Sequence, residues 1–299
     1  MASFQSVFIR NFIRSTKRMF FNLGMPIEQY RSGMEKMTRM AKMPEGIIIE
    51  KVNCNDVEAE WIIPNNTINP GVILYLHGGG YAMGSINTHR ALMARIGIAS
   101  KTKVLGIEYR LAPENPFPSA IDDAFSAYNW LLKQGFDNTK IVISGDSAGG
   151  GLTIALKIRI RDEKAPNPAA GVCLSPWLDL ASTGETTVTL ADEDPMLDLE
   201  SVKHFALFYA PKEKLQHPWI SPLYADLSGL SPIYIQVSSS EILLDDTRRF
   251  AEKAQIAGVD IRVDYWEKMV HVWQAFGIYL PEALEAIEKL GAYIEKKTA

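Results

Sequence analysis

The chain has 299 residues, of which 47% are hydrophobic and 22% charged, and its formal net charge at pH 7 is −4. That length and apolar content are enough to bury a large core, and the acidic balance argues against a nucleic acid as a partner. The two cysteines, Cys54 and Cys173, are too few for the disulfide framework of a small secreted protein, and we expect Cys173, inside an apolar run, to be a reduced core residue.

The first 27 residues carry basic side chains and no acidic ones. Arg10, Arg14, Lys17 and Arg18 alternate here with phenylalanine and methionine. This pattern is typical of two structures, a targeting or membrane-surface helix and a helix that packs over the rest of the protein. No apolar stretch reaches the length of a secretory core or a spanning helix. We therefore expect no stable membrane insertion and a cytoplasmic location.

Short apolar, β-branched segments alternate with helical ones from about residue 72 onward. This alternation predicts an α/β protein with a mostly parallel, twisted β-sheet flanked by helices. Two earlier runs, 47–52 and 57–63, predict an antiparallel pair at the start of the sheet.

A glycine cluster, His-Gly-Gly-Gly-Tyr at 77–81, follows the predicted strand at 72–76. Glycines let a backbone approach a substrate closely, and N–H groups exposed in this way can bind the oxyanion of an acyl-transfer intermediate. A plain flexible loop and a phosphate cradle are the alternatives. No Gly-Lys-Ser/Thr sequence follows, and no acidic residue is placed to bind a ribose. The cluster therefore predicts one half of an oxyanion hole.

A second motif, Gly-Asp-Ser-Ala-Gly at 145–149, lies between a predicted strand at 140–144 and a predicted helix. A G-x-S-x-G sequence in this context is typical of a nucleophile elbow, in which the residues two before and two after the nucleophile must be small. Ser147 is then the nucleophile, and the N–H of Ala148 is the second oxyanion donor. The alternative is a polar turn that starts a helix, because Asp and Ser are common there.

The base follows from chain order, because an acid and then a histidine follow the serine wherever this elbow occurs. His77 and His89 are excluded because they precede Ser147. His204 lies in a segment predicted to be helical, and His217 precedes the strand expected to carry the acid. His271 lies in a loop after the predicted strand at 261–266. It is therefore the predicted base.

Glu241 is the predicted acid, because it lies in the turn after the predicted strand at 232–237. A carboxylate there can reach the far nitrogen of the histidine, fix its tautomer and stabilise the imidazolium, and Glu is an accepted variant in such triads. Asp245 is the alternative acid. Asp245 and Asp246 are more typical of the first turn of the following helix, where acidic groups interact favourably with the helix dipole.

Three further segments accompany the two glycine-containing motifs, at 108–114 (EYRLAPE), 174–179 (LSPWLD) and 271–274 (HVWQ). In this order the motifs resemble the hormone-sensitive-lipase-like family of α/β-hydrolase esterases, over roughly residues 45–295. The resemblance implies that Ser147 attacks and that the N–H groups of Gly79, Gly80 and Ala148 bind the oxyanion, while His77 orients its loop. The family usually has Asp at the position of Glu241, so this chain departs from the family there.

The resemblance also implies a small helical cap over the active site. We assign the cap to residues 1–45 and 180–215, and the catalytic domain to 46–179 and 216–299. Candidate walls of the acyl pocket are Met19, Phe20, Phe21, Phe205, Leu207 and Phe208. The predicted substrate contacts are Tyr81, Asp146, Phe205, Phe208 and Val272. Family members favour short acyl chains, which predicts acetate to hexanoate esters.

Together these inferences predict a serine carboxylesterase that acts on a small-molecule ester through an acyl-enzyme, with no metal and no organic cofactor. An amide hydrolase would use the same residues. A ligand-binding protein similar to the plant gibberellin receptor is a third interpretation, but such receptors lack the histidine that His271 supplies here. Many relatives pair through an edge strand, which predicts a homodimer through residues 261–266.

Overall fold

The computed structural model describes residues 2–20, 24–37 and 41–299. Within them one sheet contains the strands β1 (Ile47–Cys54), β2 (Val57–Pro64), β3 (Val72–Leu76), β4 (Lys103–Ile107), β5 (Ile141–Asp146), β6 (Ala170–Leu174), β7 (Ile233–Ser238) and β8 (Ile261–Trp266). Their order in the sheet is β1-β2-β4-β3-β5-β6-β7-β8. β2 pairs antiparallel with β1 and β4, and all other neighbours are parallel. The predicted parallel sheet with an antiparallel start is confirmed.

Helices connect the strands and cover the sheet. Those in the described residues are α1 (Phe4–Phe20), α2 (Ile27–Met37), α3 (Ile86–Ser100), α4 (Ser119–Lys133), α5 (Ala148–Asp162), α6 (Thr186–Thr189), α7 (Leu199–Tyr209), α8 (Leu244–Ile256) and α9 (Pro281–Thr298). A 3₁₀ segment, Trp273–Tyr279, precedes α9. No helix among the described residues combines the length and the apolar composition needed to cross a bilayer.

The strand β3 shows how both faces of the sheet become covered. All five of its residues are buried, and successive side chains of a strand point to opposite faces. Val72, Leu74 and Leu76 pack with apolar residues of α4 and α5, whereas Ile73 and Tyr75 pack with residues of α3 and α9. A continuous apolar run of this kind is the sequence signature of a parallel strand buried on both sides.

The parallel strands place several loops at one edge of the sheet. The carboxyl ends of β3, β5, β6, β7 and β8 lie side by side, because these strands are parallel neighbours. In open α/β sheets this edge is where ligands bind. The glycine cluster, the elbow and the loops before Glu241 and His271 all begin at this edge.

The basic side chains of α1 bind another segment of the same chain. Arg10, Arg14 and Lys17 donate hydrogen bonds to main-chain carbonyls within residues 192–197. The N-terminal segment and the segment at 180–215 therefore touch each other, as two parts of one cap would. The division into cap and catalytic domain stays a prediction.

Candidate active site

Ser147 lies at the junction of β5 and α5 in a strained backbone conformation. Its φ of 52° and ψ of −120° fall outside the regions that L-residues favour, and its N–H donates to the carbonyl of Leu174 over 2.8 Å. A Cβ added to Gly145 would lie 2.4 Å from the carbonyl oxygen of Gly149, and one added to Gly149 would lie 2.0 Å from that of Leu76. Both positions therefore require glycine, which is the geometry of a nucleophile elbow.

Ser147, His271 and Glu241 form a continuous chain of hydrogen bonds. Nε2 of His271 lies 2.9 Å from Oγ of Ser147, and Nδ1 lies 2.6 Å from Oε2 of Glu241. His271 is 4% exposed and Glu241 is 1% exposed, so bulk water does little to screen the pair. In this arrangement Nε2 can take a proton from the serine while the carboxylate fixes the histidine tautomer.

The pKa of His271 is set by two opposing effects. Burial lowers it, because a buried imidazolium loses its hydration. The charge of Glu241 and its hydrogen bond raise it, and the net result is a pKa above the ordinary value of histidine. Glu241 therefore stabilises the protonated form of His271, as a group that accepts a proton requires.

Glu241 is itself held in place through its other oxygen. Oε1 accepts the N–H of Ser238 at 2.8 Å and the hydroxyl of Ser175 at 2.7 Å, which leaves Oε2 for His271. Three donors thus hold the carboxylate, which fixes its orientation relative to the imidazole.

Asp245 and Asp246 lie in the first turn of α8, as predicted, but both bind other segments. The carboxylate of Asp245 accepts the N–H of Thr186 at 3.0 Å. Asp246 is buried and accepts the N–H groups of Leu178 and Asp179, each at 2.9 Å. The structure therefore brings Glu241 to the histidine and uses the alternative acid, Asp245, to attach the segment around α6.

The glycine loop packs directly against the elbow. A Cβ added to Gly149 would lie 2.5 Å from the carbonyl oxygen of His77. Gly79 and Gly80 have φ values of 120° and 62°, which favour glycine. The ring of His77 stacks on Tyr109 at 4.2 Å, and burial lowers its pKa to about 3. The neutral ring can donate its Nδ1–H to the next carbonyl at 2.8 Å, which fits the predicted role of orienting the loop.

Asp146 does not face the site, and the prediction that it contacts substrate is wrong. Its buried carboxylate accepts the hydroxyl of Tyr75 at 2.8 Å and the N–H of Gly78 at 3.1 Å, and it lies 3.3 Å from Nε2 of His89. The reason is strand alternation, because the last residue of β5 points to the face of the sheet that α3 covers. Asp146, which directly precedes Ser147, therefore links the glycine loop to the elbow through its hydrogen bond with Gly78.

The structure places three more predicted contacts or pocket walls in the core or on an exposed helix face. Tyr81 is fully buried and stacks on Tyr209 with ring centroids 3.8 Å apart. Val272 is buried and packs with residues of α3 and α9. Leu207 is 55% exposed on α7. Sequence does not show which way these side chains point, and the core position of Tyr81 contradicts its predicted contact with substrate. Val272 and Leu207 stay a predicted substrate contact and a predicted pocket wall.

The helix α7 brings two aromatic rings toward the glycine loop. A Cβ added to Gly80 would lie 3.1 Å from the ring of Phe205, and Phe208 packs edge-on against Phe205 with centroids 5.8 Å apart. These two residues stay predicted pocket walls. Outside the part of the chain whose side chains are described lie the three N-terminal candidates, Met19, Phe20 and Phe21.

Two side chains near Glu241 were not predicted from sequence to belong to the site. Ser175 donates to Glu241, and Asp194 accepts the N–H of Ile242 at 2.9 Å. Ser175 follows β6 directly, so its place at the carboxyl edge of the sheet was a usable signal. Asp194 gave no such signal, because it lies 48 residues from its partner in an irregular segment. Among the described residues, no cluster of three or more His, Cys, Asp or Glu side chains could hold a metal ion.

Comparison with known proteins places this geometry in a family. Residues 73–275 match the family with the α/β-hydrolase fold. An acetyl-hydrolase from Streptomyces hygroscopicus is 40% identical over 256 residues, which cover 86% of this chain and 84% of that protein. An esterase from Acinetobacter venetianus is 33% identical over 287 residues, which cover 96% of this chain and 94% of that protein.

Solved structures agree with the sequence relatives. The crystal structure of an esterase from the bacterial hormone-sensitive lipase (HSL) family matches with a TM-score of 0.94 and 41% identity, covering 100% of both chains. A crystal structure of EstE5 that was soaked with p-nitrophenyl butyrate matches with a TM-score of 0.94 and 40% identity, covering 99% of each chain. The chain therefore belongs to the α/β-hydrolase fold family and is a carboxylic-ester hydrolase of the hormone-sensitive-lipase type.

Proposed function

We propose that this esterase hydrolyses short-chain acyl esters, from acetate to hexanoate, through an acyl-enzyme on Ser147. His271 is the base and Glu241 is the acid. The observation that carries the proposal is the hydrogen-bonded chain, with 2.9 Å between Ser147 and His271 and 2.6 Å between His271 and Glu241. A nucleophile, a base and a group that orients the base are in contact in one buried place, which is what nucleophilic catalysis requires.

In the acylation step, Nε2 of His271 takes the proton of Ser147 as Oγ attacks the ester carbonyl carbon. Negative charge moves to the carbonyl oxygen, and three backbone N–H groups bind it, those of Gly79, Gly80 and Ala148. The start of α5 adds the favourable end of a helix dipole at the same place. The C–O bond of the tetrahedral intermediate then breaks.

In the release steps, His271 gives its proton to the departing alkoxide, so that a neutral alcohol leaves and the acyl group stays on Ser147. Water then loses a proton to the same Nε2 and attacks the acyl carbonyl. The second intermediate breaks in the reverse direction, and the proton returns to Oγ as the carboxylic acid is freed. Glu241 stabilises the imidazolium in both halves.

The preference for short acyl chains has two supports. The ring of Phe205 lies against the backbone of Gly80, and Phe208 packs on that ring, so bulky groups crowd the glycine loop. The name of the Streptomyces relative refers to acetyl groups, and the EstE5 crystal was soaked with a butyrate ester. We extend both to this chain as a proposal.

The first test compares initial rates on p-nitrophenyl esters from acetate to palmitate, in the parent and in Ser147→Ala. We expect the highest kcat/KM on acetate to hexanoate and a loss of about 10⁴-fold or more in the variant. Labelling of the parent, and not of the variant, by a fluorophosphonate would locate the nucleophile. Activity that survives in Ser147→Ala, or rates that peak on palmitate, would contradict the proposal.

A second test separates the two candidate acids. Glu241→Gln removes the charge beside His271 with little change in shape, and we expect kcat to fall by about 10³- to 10⁴-fold, as for loss of a triad carboxylate. Asp245→Asn is the matched control and should stay within about three-fold of the parent in kcat, because the carboxylate of Asp245 binds the N–H of Thr186 and not His271, and the amide keeps an acceptor oxygen for that N–H. The reverse pattern would assign the acid to Asp245.

A further inference from the structure

Arg10, on α1, joins the N-terminal helix to the two loops that carry Glu241 and His271. Its Nη1 donates to Oγ of Ser240 at 2.7 Å and lies 3.4 Å from the carbonyl oxygen of Met269. Ser240 directly precedes Glu241, and Met269 lies two residues before His271. The side chain of Arg10 is only 12% exposed, so these bonds are largely shielded from water.

The carbonyl of Met269 is the point at which the two loops meet. The hydroxyls of Ser238 and Ser240 both donate to it, at 2.9 and 3.0 Å. Ser238 also donates its N–H to the carboxylate of Glu241. The guanidinium of Arg10 adds a charged, planar donor to this junction, and such a group fixes direction better than a rotating hydroxyl does.

A second route leads from Arg10 to the acid. Its Nη2 donates to the carbonyl of Glu193 at 3.1 Å. The next residue, Asp194, is buried and accepts the N–H of Ile242 at 2.9 Å. Ile242 directly follows Glu241. The guanidinium of Arg10 therefore contacts Ser240, which precedes Glu241, and the segment that binds Ile242, which follows Glu241.

We propose that Arg10 is a positioning residue for the catalytic triad. By joining the acid loop, the histidine loop and the segment at 192–197, it holds Glu241 and His271 at the distance at which they can share a proton. The helix α1 then helps to align the triad, in addition to its predicted role as part of the cap over the active site. The inference rests on the proposed function, because it takes Glu241 and His271 as acid and base.

The main test is Arg10→Ala. Small displacements of catalytic groups are costly, and a shift of about 1 Å can cost up to ~100-fold in rate. We expect kcat on p-nitrophenyl butyrate to fall by about ten-fold or more, with KM within about two-fold, because the hydrogen bonds of Arg10 go to the loops before Glu241 and His271 and to the carbonyl of Glu193. Arg10→Lys keeps the charge without the planar fork and should recover part of kcat.

Arg14→Ala is the matched control. Arg14 lies one turn further along α1. Among the described residues its hydrogen bonds go only to the carbonyls of Asp192 and Glu193, at 3.0 and 3.2 Å, and to neither loop. This variant removes the same charge from the same helix. We expect its kcat to stay within about two-fold of the parent, as for a change at an exposed site.

The pH profile distinguishes positioning from a merely structural role. If the contact between Glu241 and His271 loosens, the carboxylate raises the histidine pKa less. The acid limb of kcat/KM should then move to lower pH in Arg10→Ala and stay in place in Arg14→Ala. A merely structural role would lower the melting temperature and leave the acid limb unchanged.

The role of Arg10 as a positioning residue can be contradicted in two ways. A folded Arg10→Ala with parental kcat and an unmoved acid limb overturns the proposal, and so do equal losses in Arg10→Ala and Arg14→Ala. If Arg10→Ala does not fold, Arg10→Lys takes its place, with a smaller loss of kcat and a shifted limb expected and parental values overturning the proposal. A parent without Ser147-dependent activity would instead contradict the proposed function.

Discussion

Glu241 divides its two carboxylate oxygens between two tasks. Oε2 faces Nδ1 of His271, while Oε1 accepts from Ser175 and Ser238. A glutamate has one more rotatable bond than an aspartate, so it loses more side-chain entropy when it is fixed in one rotamer. Two donors on the far oxygen offset this cost, which explains how the longer acid can hold one orientation beside His271.

Replacing Ser175 with Ala should therefore weaken catalysis without weakening substrate binding. The variant leaves Oε1 with a single donor, and we expect kcat to fall by about ten-fold, which corresponds to ~1.4 kcal/mol, near the lower end of the ~1.5–3 kcal/mol of a hydrogen bond to a charged group. KM should change little. Ser228→Ala, at an exposed loop position, is the control. A Ser175→Ala enzyme with parental kcat would show that Ser238 alone suffices.

The pH dependence of the reaction should follow His271. The base must be neutral to accept a proton, and its pKa is raised above the ordinary value because Glu241 outweighs burial. We expect kcat/KM to be full above this pKa and to be lost as pH falls through it. In Glu241→Gln the burial remains and the charge is gone, so the acid limb should move to lower pH. An acid limb at the same pH in both enzymes would contradict this assignment.

Among the elements, β5 and the glycine loop are joined by one buried carboxylate. Asp146 accepts from Gly78 on the loop and from Tyr75 on the neighbouring strand, and it faces His89 on α3. Burial acts to raise the pKa of Asp146, but the charge and hydrogen bond of His89 lower it overall, so the carboxylate is ionised. The oxyanion loop and the nucleophile are thus positioned by the same side chain.

We expect Asp146→Asn to reduce both stability and turnover. The amide keeps one acceptor oxygen but loses the charge beside His89, and an imperfectly paired buried group costs about 1–3 kcal/mol. Urea unfolding should show a midpoint below that of the parent. The kcat should fall with little change in KM, because the amide NH2 replaces the oxygen that faces His89 and so loosens the side chain that holds Gly78. A drop in stability with parental kcat would limit Asp146 to a structural role.

The elements and their order could be predicted from sequence for a physical reason. Parallel strands buried on both faces are continuous apolar runs, and a turn as tight as the elbow demands Gly145 and Gly149. The loop position of His271 and the turn position of Glu241 follow from the carboxyl edge of the sheet, where parallel strands end together. Local patterns therefore suffice for the main chain and for residues that follow strands directly.

Side-chain direction and long-range partners could not be predicted in this way. Asp146 is adjacent to Ser147 in sequence, yet strand alternation turns it to the other face. Tyr81 follows the glycine loop, yet its ring stacks in the core on Tyr209. Asp194 binds a backbone N–H 48 residues away, a contact with no periodic pattern to indicate it. These features depend on packing between segments that are distant in the chain.

At the scale of the whole molecule, β8 is the last strand of the sheet, and in the described part of the chain no strand pairs with its outer edge. Within the described residues β8 pairs only with β7, and Tyr265 on β8 is 51% exposed. Such an edge is a template for pairing with another chain. We propose that two copies pair along β8, as the resemblance implies.

Tyr265→Lys tests this pairing, because an exposed lysine on an edge strand disfavours strand addition. We expect light scattering to give the mass of two chains for the parent and of one chain for the variant, with kcat retained in both. The same change at an exposed position away from the edge, Ile256→Lys, should leave the mass of the parent unchanged. A parent with the mass of a single chain would contradict the pairing.

The docking of α1 has a consequence for synthesis. Ser3 binds Glu282, which follows it by 279 residues, and at ~5–20 residues per second the ribosome needs about 14 to 56 s to add that length. During this time Ile9 and Ile13 lack the cluster of Met269 and Trp273 on which they pack. The helix α1 therefore waits for residues made more than 250 positions later, and a nascent chain can bury the apolar face of α1 and complete this packing only after α9 has been made.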